Sequence, residues 1–211
     1  MSLRTSVTKD IAKKLAHAVL GDYSLYVIYA WSPVIGSLAP EVPLHFRIEM
    51  MDGTTIKRLS VEVLREQAGY AGDGAVAYAC LDDDRVVGLC FYWYGERYRT
   101  RNFLPLAKHE AKLVQIITDP AMRGQGVAQK LIAYSSLDMS TRGFQRLLAR
   151  VWHSNTPSRK AFEHAGWTRN GWVVEIDPFR RSIPWRFRFG ARRSGLIPVE
   201  TASHHDGHRP D

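Results

Sequence analysis

The chain is short of cysteine and has no long apolar run, and each shortage excludes a class of protein. Cys80 and Cys90 are its only cysteines in 211 residues, too few at that spacing for a disulfide scaffold or a four-ligand zinc site. We expect two buried thiols on neighbouring strands. The acidic turn 82–84 has no second acidic cluster nearby, so no metal is expected. No apolar stretch suits a membrane span or a signal peptide, so we expect a cytoplasmic location and no membrane partner.

The charge balance is basic but does not identify a partner. The net charge is +8, from 29 basic and 21 acidic residues, and 45% of the residues are hydrophobic. Length and composition favour one globular domain. Between Phe179 and Arg188 the arginines alternate with apolar residues, as they do on a half-buried strand. A strand accounts for them, and we expect no nucleic-acid partner.

Hydrophobic periodicity predicts strands that alternate with single helices. The predicted strands cover residues 25–31, 44–50, 75–81, 86–94, 111–119, 144–152, 167–176 and 183–189, and the predicted helices cover 8–20, 60–67, 126–138 and 157–166. Val127, Leu131 and Tyr134 are expected on one face of the third helix. This alternation predicts an α/β sheet that is parallel in part.

Local signals predict how some of these elements are connected. Asp52-Gly53 predicts a β-hairpin toward residues 55–57. Ser60 is expected to cap the second helix and Gly69 to end it. The segment 95–109 carries arginines and aromatic residues, and two interpretations stay open: a functional loop, or a surface loop with solvated arginines.

Composition divides the chain into three parts. Residues 1–53 are expected to form a helix and strands packed on a core domain, residues 54–189. Residues 190–211 are rich in small and polar residues, and we expect a disordered tail.

The segment from Arg123 to Ala128, Arg-Gly-Gln-Gly-Val-Ala, stands where a predicted strand passes into a predicted helix. Glycine lets the backbone approach a ligand closely, and the first amides of a helix have no partner within it. The turn therefore predicts a phosphate site. The Gly-Lys-Ser/Thr of a P-loop is missing, as is the third glycine of a dinucleotide fingerprint.

The turn resembles the acyl-CoA signature of the GNAT N-acetyltransferase superfamily, Arg/Gln-x-x-Gly-x-Gly/Ala. Arg123, Gly126 and Ala128 match it position for position. With a second motif and the flanking strands, the resemblance covers about residues 86–189.

The second motif lies one strand and one helix downstream. The family has there an asparagine, a small residue, an aromatic residue and a glycine followed by an aromatic residue. Asn155, Ser158, Phe162 and Gly166-Trp167 reproduce that order. Two motifs in the right order identify the chain as similar to this family more strongly than either alone.

The resemblance implies a mixed, mostly antiparallel α/β sheet, splayed between its fourth and fifth strands and flanked by helices. It also implies acetyl-CoA as co-substrate, with the pantetheine arm in the splay and the pyrophosphate on the glycine turn. Arg159 is expected to reach the 3'-phosphate, with Arg123, Lys130 and Lys160 as alternatives. The implied cofactor-binding residues are Ile117, Thr118, Arg123, Gly124, Gln125, Gly126, Val127, Ala128, Asn155, Ser158, Arg159 and Phe162.

The implied reaction is direct attack of a primary amine on the thioester, which requires a base. Glu110, at the start of the fourth strand, is the candidate, with His109 or Glu96 as alternatives. The amide of Ile117 is expected to stabilise the oxyanion. Many family members have a tyrosine where this chain has Phe162, so the proton donor to the CoA thiolate stays open.

A small-molecule amine, such as an amino sugar, is the expected acceptor, because the segment 95–109 would narrow the cleft. Its arginines suggest an acceptor with negative charge. A protein amine, or a non-catalytic acyl-CoA sensor on the same fold, remains an alternative. A homodimer is also left open.

Overall fold

A computed structural model of the chain describes residues 22–33, 46–99, 103–177, 185–190 and 195–196. The chain divides into two compact units, Ile28–Asn170 and Met1–Val27 with Gly171–Asp211. The predicted helix at residues 8–20 lies outside the described residues, as does most of the predicted tail. The division of the chain at residues 53 and 189 stays a prediction.

Strands and short helices alternate along the described residues. The strands are β1 (Asp22–Trp31), β2 (Phe46–Met50), β3 (Ala75–Asp82), β4 (Arg85–Trp93), β5 (Glu110–Thr118), β6 (Arg146–Trp152), β7 (Thr168–Asp177), β8 (Trp185–Phe189) and β9 (Gly195–Leu196). The helices are α1 (Gly53–Ile56), α2 (Glu62–Arg65), α3 (Gly95–Arg99), α4 (Val127–Thr141) and α5 (Thr156–His164), with 3-10 segments at Glu66–Tyr70 and Pro120–Met122.

The larger unit is built on a mixed sheet. Strands β2, β3, β4 and β5 pair in that order and antiparallel, and β6 pairs with β5 in parallel. The first residues of β7 lie beside β1, where the Thr168 hydroxyl donates to the Ala30 carbonyl at 3.3 Å. The predicted fold class, a mostly antiparallel α/β sheet flanked by helices, is confirmed.

The smaller unit contains an antiparallel ladder. Residues 172–176 of β7 pair with β8, and β8 pairs with β9. Glu175 and Arg186 form an ion pair across the first of these pairings. The two residues of β9 belong to the segment in which the sequence predicts a disordered tail.

The central strands of the larger unit are buried on both faces, which is why β3 and β4 read as nearly continuous apolar runs. One face packs against α1, α2 and the following 3-10 segment. Nine buried residues form this core: Ile56, Leu64, Ala68, Ala77, Ala79, Leu81, Val86, Leu89 and Phe91.

The opposite face carries α4, which approaches β4 at Gly88. A Cβ atom at Gly88 would lie 2.7 Å from Val127 and 3.0 Å from Leu131, so only glycine allows this close packing. Two buried serines of α4 satisfy aromatic polar groups: Ser135 bonds the Tyr92 hydroxyl at 2.9 Å and Ser136 accepts from the Trp167 ring nitrogen at 3.0 Å. The helix is thereby fixed against the sheet.

The predicted third helix is right in place but not in its buried face. Val127 and Leu131 are buried, whereas Tyr134 is 39% exposed. Ile132 and Met139 are buried in its place. The cause is that α4 packs a broad stripe against the sheet, so a single row of i, i+4, i+7 positions does not describe its buried side.

Two predicted connections are wrong. Asp52-Gly53 does not form a hairpin: the Asp52 carboxylate accepts from the amides of Thr54 and Thr55 and caps α1. An aspartate before a glycine occurs both in hairpin turns and at helix N-termini, and here it caps the helix. Helix α2 begins after Val61 rather than Ser60, and Gly69 lies inside the 3-10 segment.

Cys80 and Cys90 are buried free thiols on neighbouring strands, as predicted. Burial raises the pKa of the Cys80 thiol to about 11 and that of the Cys90 thiol to about 12. None of the helices in the described residues is long and apolar enough to cross a membrane.

Candidate functional site

Strands β5 and β6 separate partway along their length. Their parallel register runs from Glu110 opposite Arg146 to Leu113 opposite Ala149 and ends there. At the same level the register between β4 and β5 shifts, so that Val114 is left without a partner on β4. A bulge bends a strand. This one lies where the gap between β5 and β6 begins.

A cleft occupies this gap. Residues from β5, β6 and α5 line it: Leu113, Val114, Gln115, Ile116, Arg150, Val151, Trp152, Asn155, Ser158 and Phe162. The site residues Asn155, Ser158 and Phe162, predicted from the second motif, are thus brought together with β5.

The backbone of β5 presents alternate residues to the cleft. The Asp119 amide donates to the Val87 carbonyl at 2.9 Å, and bonded pairs alternate along an antiparallel ladder. Ile117, opposite Leu89, therefore turns its backbone groups toward β4. The amides of Ile116 and Thr118 face the gap, whereas that of Ile117 does not. Contact of Ile117 and Thr118 with the cofactor stays a prediction.

The Ile116 amide is held by a neighbouring side chain. It donates to Gln115 Oε1 at 3.2 Å. Gln115 Nε2 donates in turn to Gln67 Oε1 at 3.0 Å, and Gln67 Nε2 to the Val63 carbonyl at 3.0 Å. This amide chain ties the bulge to the 3-10 segment and the helix before it.

The glycine turn leads from β5 into α4 and is anchored at its start. The carboxylate of Asp119, only 4% exposed, accepts from Arg85 Nη2 at 2.5 Å and from the Ala121 amide at 3.0 Å. Gly124 and Gly126 adopt φ of +81° and +79°, a region that favours glycine.

Within the described part of the chain, nothing accepts a hydrogen bond from the amides of Gly124, Gln125 and Gly126. They stand at the N-terminus of α4, a 15-residue helix whose dipole is positive at that end. The Lys130 ammonium lies 3.4 Å from the Gln125 carbonyl. The turn therefore offers donors and positive charge to an anion, and binding of the pyrophosphate by Arg123 to Ala128 stays a prediction.

Asn155 shapes the opposite wall by capping α5. Its side-chain oxygen accepts from the Ser158 amide at 3.1 Å. Phe162, 2% exposed, stacks on Tyr29 at 5.5 Å between centroids and meets Trp167 edge-on at 5.0 Å. Its ring is fixed by packing and carries no dissociable proton.

Arg159 is not among the residues that line the cleft. Its Nη1 donates to the His153 carbonyl at 2.9 Å. It also faces the hydroxyl of Tyr29, which donates to Glu163 at 2.7 Å. Burial and this bond raise the pKa of Tyr29, while the bonds from Tyr29 and Arg169 lower the pKa of Glu163. Contact of Arg159 with the 3'-phosphate stays a prediction.

Glu110 lies where β5 and β6 are still paired. Its carboxylate accepts from Arg146 Nη1 at 3.1 Å and from the Ala107 amide at 2.9 Å. It does not line the cleft. The alternative Glu96 is 81% exposed and pairs with Arg99.

The segment 95–109 begins as helix α3, and its Arg97 serves the fold. Arg97 donates to the carbonyls of Gly69, Ala71 and Asp73 at 2.8 to 3.1 Å and stacks over Trp93. Arg97 is thus held by the backbone, whereas Arg101 lies outside the described residues.

The predicted cofactor-binding residues omit seven residues that line the cleft: Leu113, Val114, Gln115, Ile116, Arg150, Val151 and Trp152. The bulge at Val114 depends on pairing with β4, which the sequence does not display. Arg150 and Trp152 carried a usable signal, because polar and aromatic residues interrupt an otherwise apolar parallel strand.

Residues 47–167 match the model of the Acetyltransferase (GNAT) family. This is more than half of the 211-residue chain, so the chain belongs to the GNAT acetyltransferase family and is an acyltransferase. No curated protein matches it significantly.

Solved structures agree with this fold. A GCN5-related N-acetyltransferase from Sphaerobacter thermophilus has a TM-score of 0.56 at 14% identity, covering 83% of this chain and 58% of its own. A GNAT-family acetyltransferase from Colwellia psychrerythraea has a TM-score of 0.52 at 15% identity, covering 85% and 61%. This chain thus spans about 60% of either protein.

An aminoglycoside acetyltransferase from an uncultured soil metagenomic sample, in complex with sisomicin, is also similar. Its TM-score is 0.43 at 13% identity, and the match covers 59% of this chain and 90% of that one.

Proposed function

We propose that the chain transfers an acetyl group from acetyl-CoA to the primary amine of a small molecule, such as an amino sugar. The observation that carries this proposal is the gap between β5 and β6, which opens at Val114. The gap offers the unpaired backbone of β5, and the turn that follows offers the amides of Gly124 to Gly126. An extended arm that ends in a pyrophosphate fits both.

Different parts of the chain bind different parts of acetyl-CoA. The turn amides and the N-terminus of α4 hold the pyrophosphate, and the Thr118 backbone bonds the arm as an added strand would. Asn155 and Ser158 form the facing wall, and Phe162 excludes water from it. Acetyl-CoA supplies the activated acyl group when it is bound there.

The Ile116 amide is the donor that we place at the developing oxyanion. Its backbone is fixed by the β4 ladder, so the strand itself need not move for donation. Gln115 Oε1, which accepts from that amide, must turn aside to admit the oxyanion. The bond from Gln115 Nε2 to Gln67 changes with that rotation.

Glu110 remains the proposed base, acting through water. It stands three residues before the first lining residue, a separation of about 10 Å along a strand. The described lining residues include no carboxylate and no histidine, so an intervening water is required. Phe162 cannot protonate the leaving thiolate, and we assign that step to solvent.

The same observation favours a second candidate, a sensor that binds acyl-CoA without turnover. A screen for CoA release separates the two, using amino sugars, simple primary amines and peptides with a free N-terminus or lysine. Calorimetry with acetyl-CoA is run beside it. Release with a small amine supports the proposal, release with peptides alone favours a protein acceptor, and binding without release identifies a sensor.

A further inference from the structure

Two cations share one aromatic ring beside the cleft. Lys112 of β5 is 4% exposed, and its Nζ lies 4.6 Å from the Phe103 ring centroid. The Arg150 guanidinium of β6 lies 4.3 Å from the same centroid. Phe103 is itself only 3% exposed. The ring holds both cations at the place where β5 and β6 begin to separate.

Both side chains lie on the same face of the sheet. Lys112 is opposite Leu148 in the parallel register, and Arg150 follows Leu148 by two residues, so alternation places it on the same side. Lys112 is also opposite Trp93, whose ring nitrogen donates to the Tyr70 carbonyl of the 3-10 segment at 2.8 Å. This is the face that carries α2.

The wall of the cleft carries a positive charge. Arg150 is the only charged residue among the described residues that line the cleft, and Lys112 lies behind the same ring. A second cation on a substrate is repelled there, whereas an anionic oxygen group gains a charge-assisted, bidentate bond from the guanidinium. The ring beneath restricts the orientation of the guanidinium.

We propose that Arg150, supported by Lys112 across Phe103, binds an anionic group of the acceptor. The acceptor is then a small primary amine that also carries a carboxylate or a phosphate. This inference rests on the proposed function and narrows its substrate class. It assigns to β6 and β5 the recognition that the sequence suggested for the arginines of the segment 95–109.

The test compares acceptors that differ only in the anion. β-Alanine is paired with β-alaninamide, and O-phosphoethanolamine with ethanolamine, which separates carboxylate from phosphate. We expect kcat/KM to favour the anionic member of at least one pair by about 10- to 100-fold, the range of a hydrogen bond to a charged group. Arg150→Gln removes this preference and Arg150→Lys keeps part of it. Arg65→Gln, a surface change on α2, leaves it unaltered.

Binding of the same compounds to the complex with desulfo-CoA, measured by calorimetry, repeats the comparison without turnover. Equal kcat/KM or affinity within both pairs, or a preference that survives Arg150→Gln, overturns the inference. Anion-selective binding lost in Arg150→Gln, with no turnover of any amine, supports the inference and overturns the acetyltransferase proposal alone.

Discussion

Phe162 contacts the rings of Tyr29 and Trp167, and it also lines the cleft. If packing is its role, Phe162→Leu keeps the fold and changes acetyl-CoA affinity by less than about tenfold, since such swaps usually cost under about 1.5 kcal/mol. Phe162→Ala lowers the free energy of unfolding by about 3 to 5 kcal/mol. Urea unfolding and calorimetry measure the two effects.

A hydroxyl at this position is a separate probe of Phe162. Phe162→Tyr is expected to fold and to keep or raise kcat, because it adds a proton donor near the leaving thiolate. A Phe162→Leu protein with unchanged acetyl-CoA affinity and no activity would contradict the packing role.

Glu110 has a structural partner as well as a proposed chemical task, and two variants separate them. Loss of a general base lowers kcat by about 100- to 10,000-fold and flattens the acidic limb of the pH profile, so we expect both from Glu110→Gln. The base must be ionised to act, so activity of the parent rises with pH along that limb. Steady-state kinetics across pH measure the change.

Arg146→Gln is the matched control for Glu110, because it breaks the same ion pair and keeps the carboxylate. It should retain the acidic limb. Equal losses in both variants, or a larger loss in Glu96→Gln, would assign Glu110 to the fold and leave the base to be sought elsewhere.

At the scale of elements, a single substitution in the turn between β5 and α4 should abolish acetyl-CoA binding. Gly126→Asp places a carboxylate among the amides proposed for the pyrophosphate, and a non-glycine residue at φ of +79° is strained. Like charges repel, so acetyl-CoA binding should be lost. Calorimetry on the folded variant checks it.

Gly143 provides the control for that experiment. It also has positive φ, +92°, and open space around its Cα, but it follows the other end of α4. Gly143→Asp should show a similar loss of stability and normal acetyl-CoA binding. If both variants bind as the parent does, the phosphate site lies elsewhere.

Strands and helices with a strong hydrophobic periodicity were predictable from the sequence, whereas the connections between them were not. Strands β3 to β6 and helices α4 and α5 fall within three residues of their predicted ends, because each combines periodicity with a glycine or proline boundary. The hairpin predicted at Asp52-Gly53 was wrong, because the same short sequence is common in hairpin turns and at helix caps. Gly53 lies near Ala68 and Ala71, a tertiary contact that the sequence does not display.

At the scale of the whole molecule, the site depends on pairings between distant strands. The motifs placed the glycine turn, Asn155, Ser158 and Phe162 in the sequence. They did not show that β5 bulges at Val114 or that Ile117 faces β4, because both follow from register with residues 85–93. Recognition by Arg150 escaped for the same reason, since its neighbour Phe103 lies on another segment.

The two buried thiols should make the free energy of unfolding decrease at high pH. Their pKa is raised from 9.0 to about 11 for Cys80 and about 12 for Cys90, chiefly by desolvation. In the unfolded chain the thiols ionise near the ordinary value, so above it the unfolded state binds fewer protons than the folded state. The stabilisation is complete below pH 9 and is lost as pH rises toward the folded pKa.

The free energy of unfolding, measured by urea denaturation under reducing conditions, should therefore fall between about pH 9 and pH 10, at up to about 1.4 kcal/mol per pH unit for each thiol. Cys90→Ala should reduce that slope, since alanine has no proton to lose. The pKa values of Tyr78 and Tyr92 are raised by burial as well, and their effect begins only near pH 10, above this window. A parent free energy of unfolding that is constant across the window, or a Cys90→Ala slope as steep as that of the parent, would show that the thiols do not cause this decrease.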